Sequence, residues 1–149
     1  MRTPALALAL LLAAPLAAAD AGDRVLGLWL TGKQDAQVRF ERDGDRYFGT
    51  IVWLKEPLYP PDDPQGMAGQ PKVDRENPAP GARAQPIIGL HLAAGFRFDD
   101  GAWRDGTIYD PENGKTYRCR MWFDGETLRV RGYIGIALFG RSESWTRVP

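Results

Sequence analysis

"FGRSESWTRV", residues 139–148, alternates with a period of two and carries a different kind of residue on each side. One face holds Arg141, Glu143, Trp145 and Arg147; the other holds Ser142, Ser144, Thr146 and Val148. Successive side chains of a strand point to opposite faces, so the stretch reads as a strand with charges in line with a tryptophan. Whichever face turns inward decides what the fold encloses. If the charged face does, Arg141 and Glu143 must pair, meet other polar groups or line a wet cavity, because an unpaired buried charge is costly. If the serine face does, the charges are simply solvated.

Upstream, short β-like runs separated by glycine turns dominate: 26–31, 36–41, 46–54, 95–98, 103–110, 115–123 and 127–134. "DGD" (43–45), "DDG" (99–101), "PENG" (111–114) and "DGE" (124–126) are the hairpin signals between several of them. With the closing stretch this makes eight strands and no long crossover helix. The expected fold is an eight-stranded antiparallel up-and-down barrel, which removes exposed edges by closure; a two-sheet β-sandwich is the alternative. Tyr117, Cys119, Met121 and Phe123 share one apolar face, and Leu128 and Val130 face inward opposite Arg129 and Arg131. The period-two arginines 118, 120, 129 and 131 suit the wet outer face of two strands, with a phosphate site as the competing reading.

Residues 55–86 break the pattern. They hold eight of the twelve prolines (57, 60, 61, 64, 71, 78, 80 and 86). Proline donates no ladder hydrogen bond and fixes its own φ, so an irregular surface excursion is expected there. A connection this long is usually functional or disordered. "IIGLHL" (87–92) fits a helical turn covering a barrel end, or a short strand.

Arg2, the apolar run "ALALALLLAAPL" and the small residues Ala17 to Ala19 have the order of a secretory leader, so residues 1–19 are expected to be a signal peptide and 20–149 a single domain. The expected location is periplasmic or secreted, with no membrane span in the mature chain. Without Arg2 the balance is 18 basic against 19 acidic residues, 18 − 19 = −1, which argues against a nucleic-acid binder. One cysteine, Cys119, permits no intramolecular disulfide, and with one histidine, His91, it makes no zinc site without carboxylate help. No Gly-x-Ser-x-Gly elbow is present, so hydrolase chemistry of the usual kind is disfavoured. No metal or cofactor is expected.

Gly27-Leu28-Trp29 is similar to the Gly-x-Trp signature that opens lipocalin barrels. That resemblance implies that Trp29 plugs the closed end and that a basic residue of the last strand lies across its ring, for which Arg147 is the candidate. An arginine over an indole face gains roughly 0.5–2 kcal/mol. Period two would then put Trp145, Glu143 and Arg141 inside as well. More broadly, "DRENPAPGARAQPIIGL" (74–90), "WRDGTIYDPENGKTYRCRM" (103–121) and "RGYIGIALFGRSESWTRV" (131–148), with "GLWLT" and "GTIVWL", resemble the bacterial envelope family catalogued as domain of unknown function 2147. The resemblance implies an exported lipocalin-like barrel with no established activity or cofactor. The family's shared positions stand here as Asn77, Arg83, Trp103, Tyr109, Asp110, Lys115, Tyr117, Arg141 and Trp145, while "YPPDDPQGMAGQPK" looks long for the family.

These readings converge on a binding module. A barrel lined by Phe40, Phe98, Tyr109, Tyr117, Met121 and Trp145 would take a small apolar or amphipathic molecule, with Arg83 or Arg141 engaging an acidic head and Glu143 beside it. Asp110, Gly114 and Lys115 read as a structural turn: Asp110 accepts backbone N–H groups, Gly114 takes positive φ, and Lys115 pairs with Asp110 or Glu112. A second reading is an envelope interaction or scaffold module binding a protein partner through the Pro-rich excursion and the apolar "GYIGIALFG" (132–140). A third is an enzyme using the carboxylates of Asp110 and Glu143.

Overall fold

The computed structural model describes residues 20–134 and 140–149. The expectations for residues 1–19, and for most of the apolar strip 132–140, lie outside them. Eight antiparallel strands form a closed barrel in chain order: β1 (Gly27–Leu30), β2 (Ala36–Asp43), β3 (Arg46–Leu54), β4 (His91–Asp99), β5 (Ala102–Asp110), β6 (Lys115–Asp124), β7 (Thr127–Tyr133) and β8 (Arg141–Arg147). The sandwich alternative fails because β1 pairs with β8, Trp29 opposite Arg147 and Leu30 opposite Thr146.

The two ends of the barrel are built differently. At one end Asp43 pairs with Arg46, Asp99 with Ala102 and Asp124 with Thr127, so each hairpin turns in two residues. Such turns need positive φ, which Gly44, Asp100, Gly101 and Gly125 adopt. At the other end the connections are longer, and residues 55–90 make one of them.

The tight end is packed shut with aromatic rings. Trp103 lies 4.9 Å from Phe98 and 5.6 Å from Phe123, and Phe123 lies 5.6 Å from Trp29. A 3₁₀ turn, Ala21–Val25, crosses below them and satisfies both indoles: Trp29 Nε1 donates to the Val25 carbonyl (2.8 Å) and Trp103 Nε1 to that of Gly22 (3.2 Å). Gly22 must be glycine, since a Cβ there would lie 2.3 Å from the Tyr47 hydroxyl. Asp23 ties this turn to the wall, accepting from Arg42 (2.8 Å) and from the Tyr47 hydroxyl (3.0 Å). Arg42 holds the Asp23 carboxyl below its ordinary range, and burial pushes the Tyr47 hydroxyl up to about 12.

Arg147 completes the plug. Its guanidinium carbon sits 4.3 Å from the Trp29 ring centroid, and its two terminal nitrogens donate to the carbonyls of Leu26 (2.8 Å) and Arg24 (2.5 Å). On β8 the Trp145 side is therefore the inner one, and Trp145 is buried while Ser142, Ser144 and Thr146 are exposed.

β4 begins at His91, four residues before the run read from sequence, and residues 87–90 make a tight turn rather than a helical cap. Two irregularities, one between His91 and Ala93 and one at Gly95 (φ 75°), shift the phase of the strand, so Leu92, Ala93 and Phe96 are all buried and the alternation is hidden. Cys119 is buried, and desolvation pushes its thiol up to about 12. His91 is exposed on the outer face, its Nδ1 3.0 Å from Thr50 Oγ1.

Removing Arg147 strips the ring contact and two charge-assisted hydrogen bonds. Arg147→Ala should lower unfolding stability by about 1–3 kcal/mol, read as a lower denaturation midpoint at unchanged slope. An unshifted midpoint would show that the plug does not need it.

Candidate functional site

The open end leads into a cavity of about 1070 Å³. Its deeper wall is apolar, formed by Ile51, Leu92, Ile108, Val130 and Trp145, with Gly132 leaving room on β7. Phe40 packs behind Trp145 with ring centroids 6.2 Å apart. The inner face of β8 then brings polar groups into this wall. Glu143 Oε2 accepts from Trp145 Nε1 (3.1 Å), so the half-buried carboxylate and the buried indole satisfy one another. Arg141, one step nearer the mouth, lines the cavity and makes no hydrogen bond or ion pair among the described residues.

The Pro-rich excursion forms one side of the mouth, and it is folded. Tyr59, Lys72, Val73, Arg75 and Glu76 line the cavity from it. Leu58 bridges Pro71 and Val73 bridges Pro86, which makes a small hairpin of an otherwise strandless segment. The Tyr59 hydroxyl both donates to the Val73 carbonyl (3.0 Å) and accepts from the Val73 amide (3.1 Å). Asp63 accepts from the Gln65 and Met67 amides and from Arg75 (2.9 Å), whose guanidinium lies 4.2 Å above the Tyr59 ring. Desolvation raises the Asp63 carboxyl, but those amides and Arg75 outweigh it and leave it below the ordinary value. A lowered carboxylate pKa stabilises above the unfolded value and is lost as pH falls through the folded one, so this brace holds through the neutral range.

Two sequence runs that look separate interlock at the rim. Asp74, fully buried, accepts from the Tyr109 hydroxyl of β5 (2.7 Å) and from Asn77 Nδ2 (2.7 Å). Desolvation and the Asp74 carboxylate push the Tyr109 hydroxyl up to about 12. Gly114, at φ 70°, lies so close to the excursion that a Cβ there would stand 2.0 Å from the Glu76 carbonyl oxygen. Asp110 shapes this hairpin, accepting from the Glu112 amide (2.9 Å) and Asn113 Nδ2 (3.0 Å). Across the mouth, Glu112 pairs with Lys33 of the β1–β2 connection (2.9 Å).

The residues expected to bind therefore separate into two groups. Tyr109, Tyr117, Arg141, Glu143 and Trp145 border the cavity together, as does Asp110. Phe40, Phe98 and Met121 do not: Phe40 and Met121 are consumed by the core, and Phe98 packs on Trp103 at the closed end. Arg83 is also outside the lining, because its Nε donates to the Asn77 carbonyl (2.7 Å) and stabilises the excursion. Lys115 makes neither expected pair, since Glu112 engages Lys33 and the Asp110 oxygens serve the turn. Tyr59, Lys72 and Arg75 were missed because a proline-rich loop gives no periodicity from which to read an inward side. Among the described residues no three His, Cys, Asp or Glu side chains group as a metal site, and no helix is long and apolar enough to cross a membrane.

Residues 27–147 match the family described as uncharacterized protein conserved in bacteria, DUF2147. Among solved structures the chain is similar to HP1028 of the human pathogen Helicobacter pylori, described as belonging to the lipocalin family. The two share 19% identity at a TM-score of 0.68, over 84% of this chain and 83% of that one. No curated protein matches the chain.

If the Asp74–Tyr109 bond docks the excursion, Tyr109→Phe should cost about 1–3 kcal/mol by leaving a buried carboxylate oxygen without its donor. It should also speed proteolysis within residues 55–86. Unchanged cleavage there would mean that other contacts hold the loop.

Proposed function

The chain belongs to the bacterial family DUF2147, and we propose that its barrel is a cup for a small apolar or amphipathic molecule with an acidic head. The observation that carries this reading is the cavity of about 1070 Å³, apolar in its depth and bordered by Arg141, a cation without a protein partner among the described residues. Binding pockets are mostly apolar with a few placed polar groups, and a volume of this size is in the range that encloses a small organic ligand. An acidic head beside Arg141 would accept a charge-assisted hydrogen bond from its guanidinium. The apolar part would lie against Ile108, Val130 and Trp145. Lipocalin-like architecture supports the same reading, since an eight-stranded barrel can enclose one small ligand.

The leader-like sequence of residues 1–19 supports placing this cup in an exported protein. N-terminal sequencing of protein recovered from the producing cell tests that part: a chain beginning at Asp20 supports export, and an intact Met1 removes it.

Cup binding is tested with dansylated undecanoic acid, a fluorescent amphipathic anion. Gly132 supplies a clean obstructing variant, because a Cβ there would meet Ile108 and Tyr117 at only 3.5 and 3.6 Å, ordinary contact distances. Gly132→Leu should fold normally, fill the cup and weaken the probe at least about tenfold. Arg141→Gln should weaken it while leaving a neutral dansyl alkane unaffected. A probe bound equally by all three proteins does not enter the cup, and the reading fails.

A further inference from the structure

The wall on the far side of β6 and β7 from the cavity carries a second pattern. Buried Cys119 and Met121 alternate with Arg118, Arg120 and Trp122 on β6, and buried Leu128 and Val130 with Arg129, Arg131 and Tyr133 on β7. The register places Arg118 opposite Tyr133, Arg120 opposite Arg131 and Trp122 opposite Arg129. Like charges directly opposite destabilise a sheet, so this face is arranged at a cost to folding. Among the described residues no carboxylate stands within ion-pair distance of Arg118, Arg120 or Arg129. The next strand offers hydroxyls instead: Arg129 donates to Ser144 Oγ and Arg131 to Ser142 Oγ (2.8 Å). The Ser144 bond orients the Arg129 guanidinium without neutralising it. The Arg120 guanidinium lies 5.3 Å from the Trp122 ring centroid, and its Nε is buried without an acceptor.

We propose that this arginine and aromatic face docks the protein on a membrane surface rich in anionic phospholipid. Charge complementarity selects an anionic partner, because the chain as a whole is balanced while this wall sets four arginines side by side on two paired strands. Shape selects an extended one: the outer wall of a closed barrel is convex and offers no concave pocket to hold a free anion. The neighbours select a lipid interface. Trp122, and Tyr133 where the wall meets the rim of the cavity, are amphipathic rings of the kind that settle at headgroup level. Nothing in this proposal depends on what the cup holds, since the cup opens at the barrel end and this face lies on its side.

The test is co-sedimentation of the protein, expressed from its full chain, with phosphatidylcholine vesicles made with and without phosphatidylglycerol. Binding should require phosphatidylglycerol and fall as salt is raised. Arg118→Gln/Arg120→Gln removes two charges and relieves the Arg120–Arg131 opposition, so it should fold at least as well and bind about thirtyfold more weakly. Should that variant fail to fold, Arg118→Gln alone is expected to bind about fivefold more weakly. Gly132→Leu should bind vesicles like the unaltered protein. Equal binding to both vesicle types, full retention by the arginine variants, or binding to single-stranded RNA but not to vesicles would each overturn the proposal.

Discussion

The contact of Arg147 with Trp29 fixes the phase of β8, and much else follows from that phase. A strand offers two faces, and a shift by one residue exchanges them. With Arg147 across the indole at 4.3 Å, Trp145, Glu143 and Arg141 turn inward and Ser142 and Ser144 turn outward. The interior thereby acquires a carboxylate satisfied by an indole and a cation with no partner among the described residues. The exterior acquires two hydroxyls placed to accept from the arginines of β7. The two faces of one short strand thus serve the two proposed surfaces of the molecule.

A second constraint operates at the open end. A closed barrel needs only a short turn between β3 and β4, yet this chain inserts residues 55–90 there and folds them over the mouth. Proline removes ladder donors, so the excursion is held by side chains instead: Tyr59 on Val73, Asp63 on two amides and Arg75, and Asp74 on Tyr109. Gly114 explains why the hairpin at 111–114 and the segment at 74–78 belong together, since only a residue without Cβ admits the Glu76 backbone so closely. The closed end is the opposite case, with two-residue turns, a ring cluster and an N-terminal 3₁₀ segment packed against it.

Strand number, barrel closure and the inner faces of β6 and β7 were legible in the sequence, because period-two burial and Gly-containing turns write them directly. The start of β4 was not, because Gly95 changes the strand's phase within "HLAAGFRF". The site was half legible. Tyr117 lies on a strand whose alternation reveals its side, whereas the side of Arg141, Glu143 and Trp145 is settled only by Arg147 lying across Trp29; with Tyr109 they meet at the cavity. Phe40, Phe98 and Met121 share the same inward periodicity yet sit too deep, since periodicity gives the face of a strand and not the depth along the barrel axis. Arg83 read as a free headgroup ligand because the Asn77 carbonyl that occupies its Nε is exposed only by the loop's folded path.

The five tryptophans report separately on each region, two in the plug, one in the cup and two on or near the outer wall. The most direct measurement is therefore an NMR titration of the five indole N–H signals with dansylated undecanoic acid. The account predicts that Trp145 shifts, because its indole bonds Glu143 within the cavity wall, while Trp29 and Trp103 stay fixed on the Val25 and Gly22 carbonyls. A titration that moves Trp53 or Trp122 and leaves Trp145 in place would put the ligand on the outside of the barrel and contradict it.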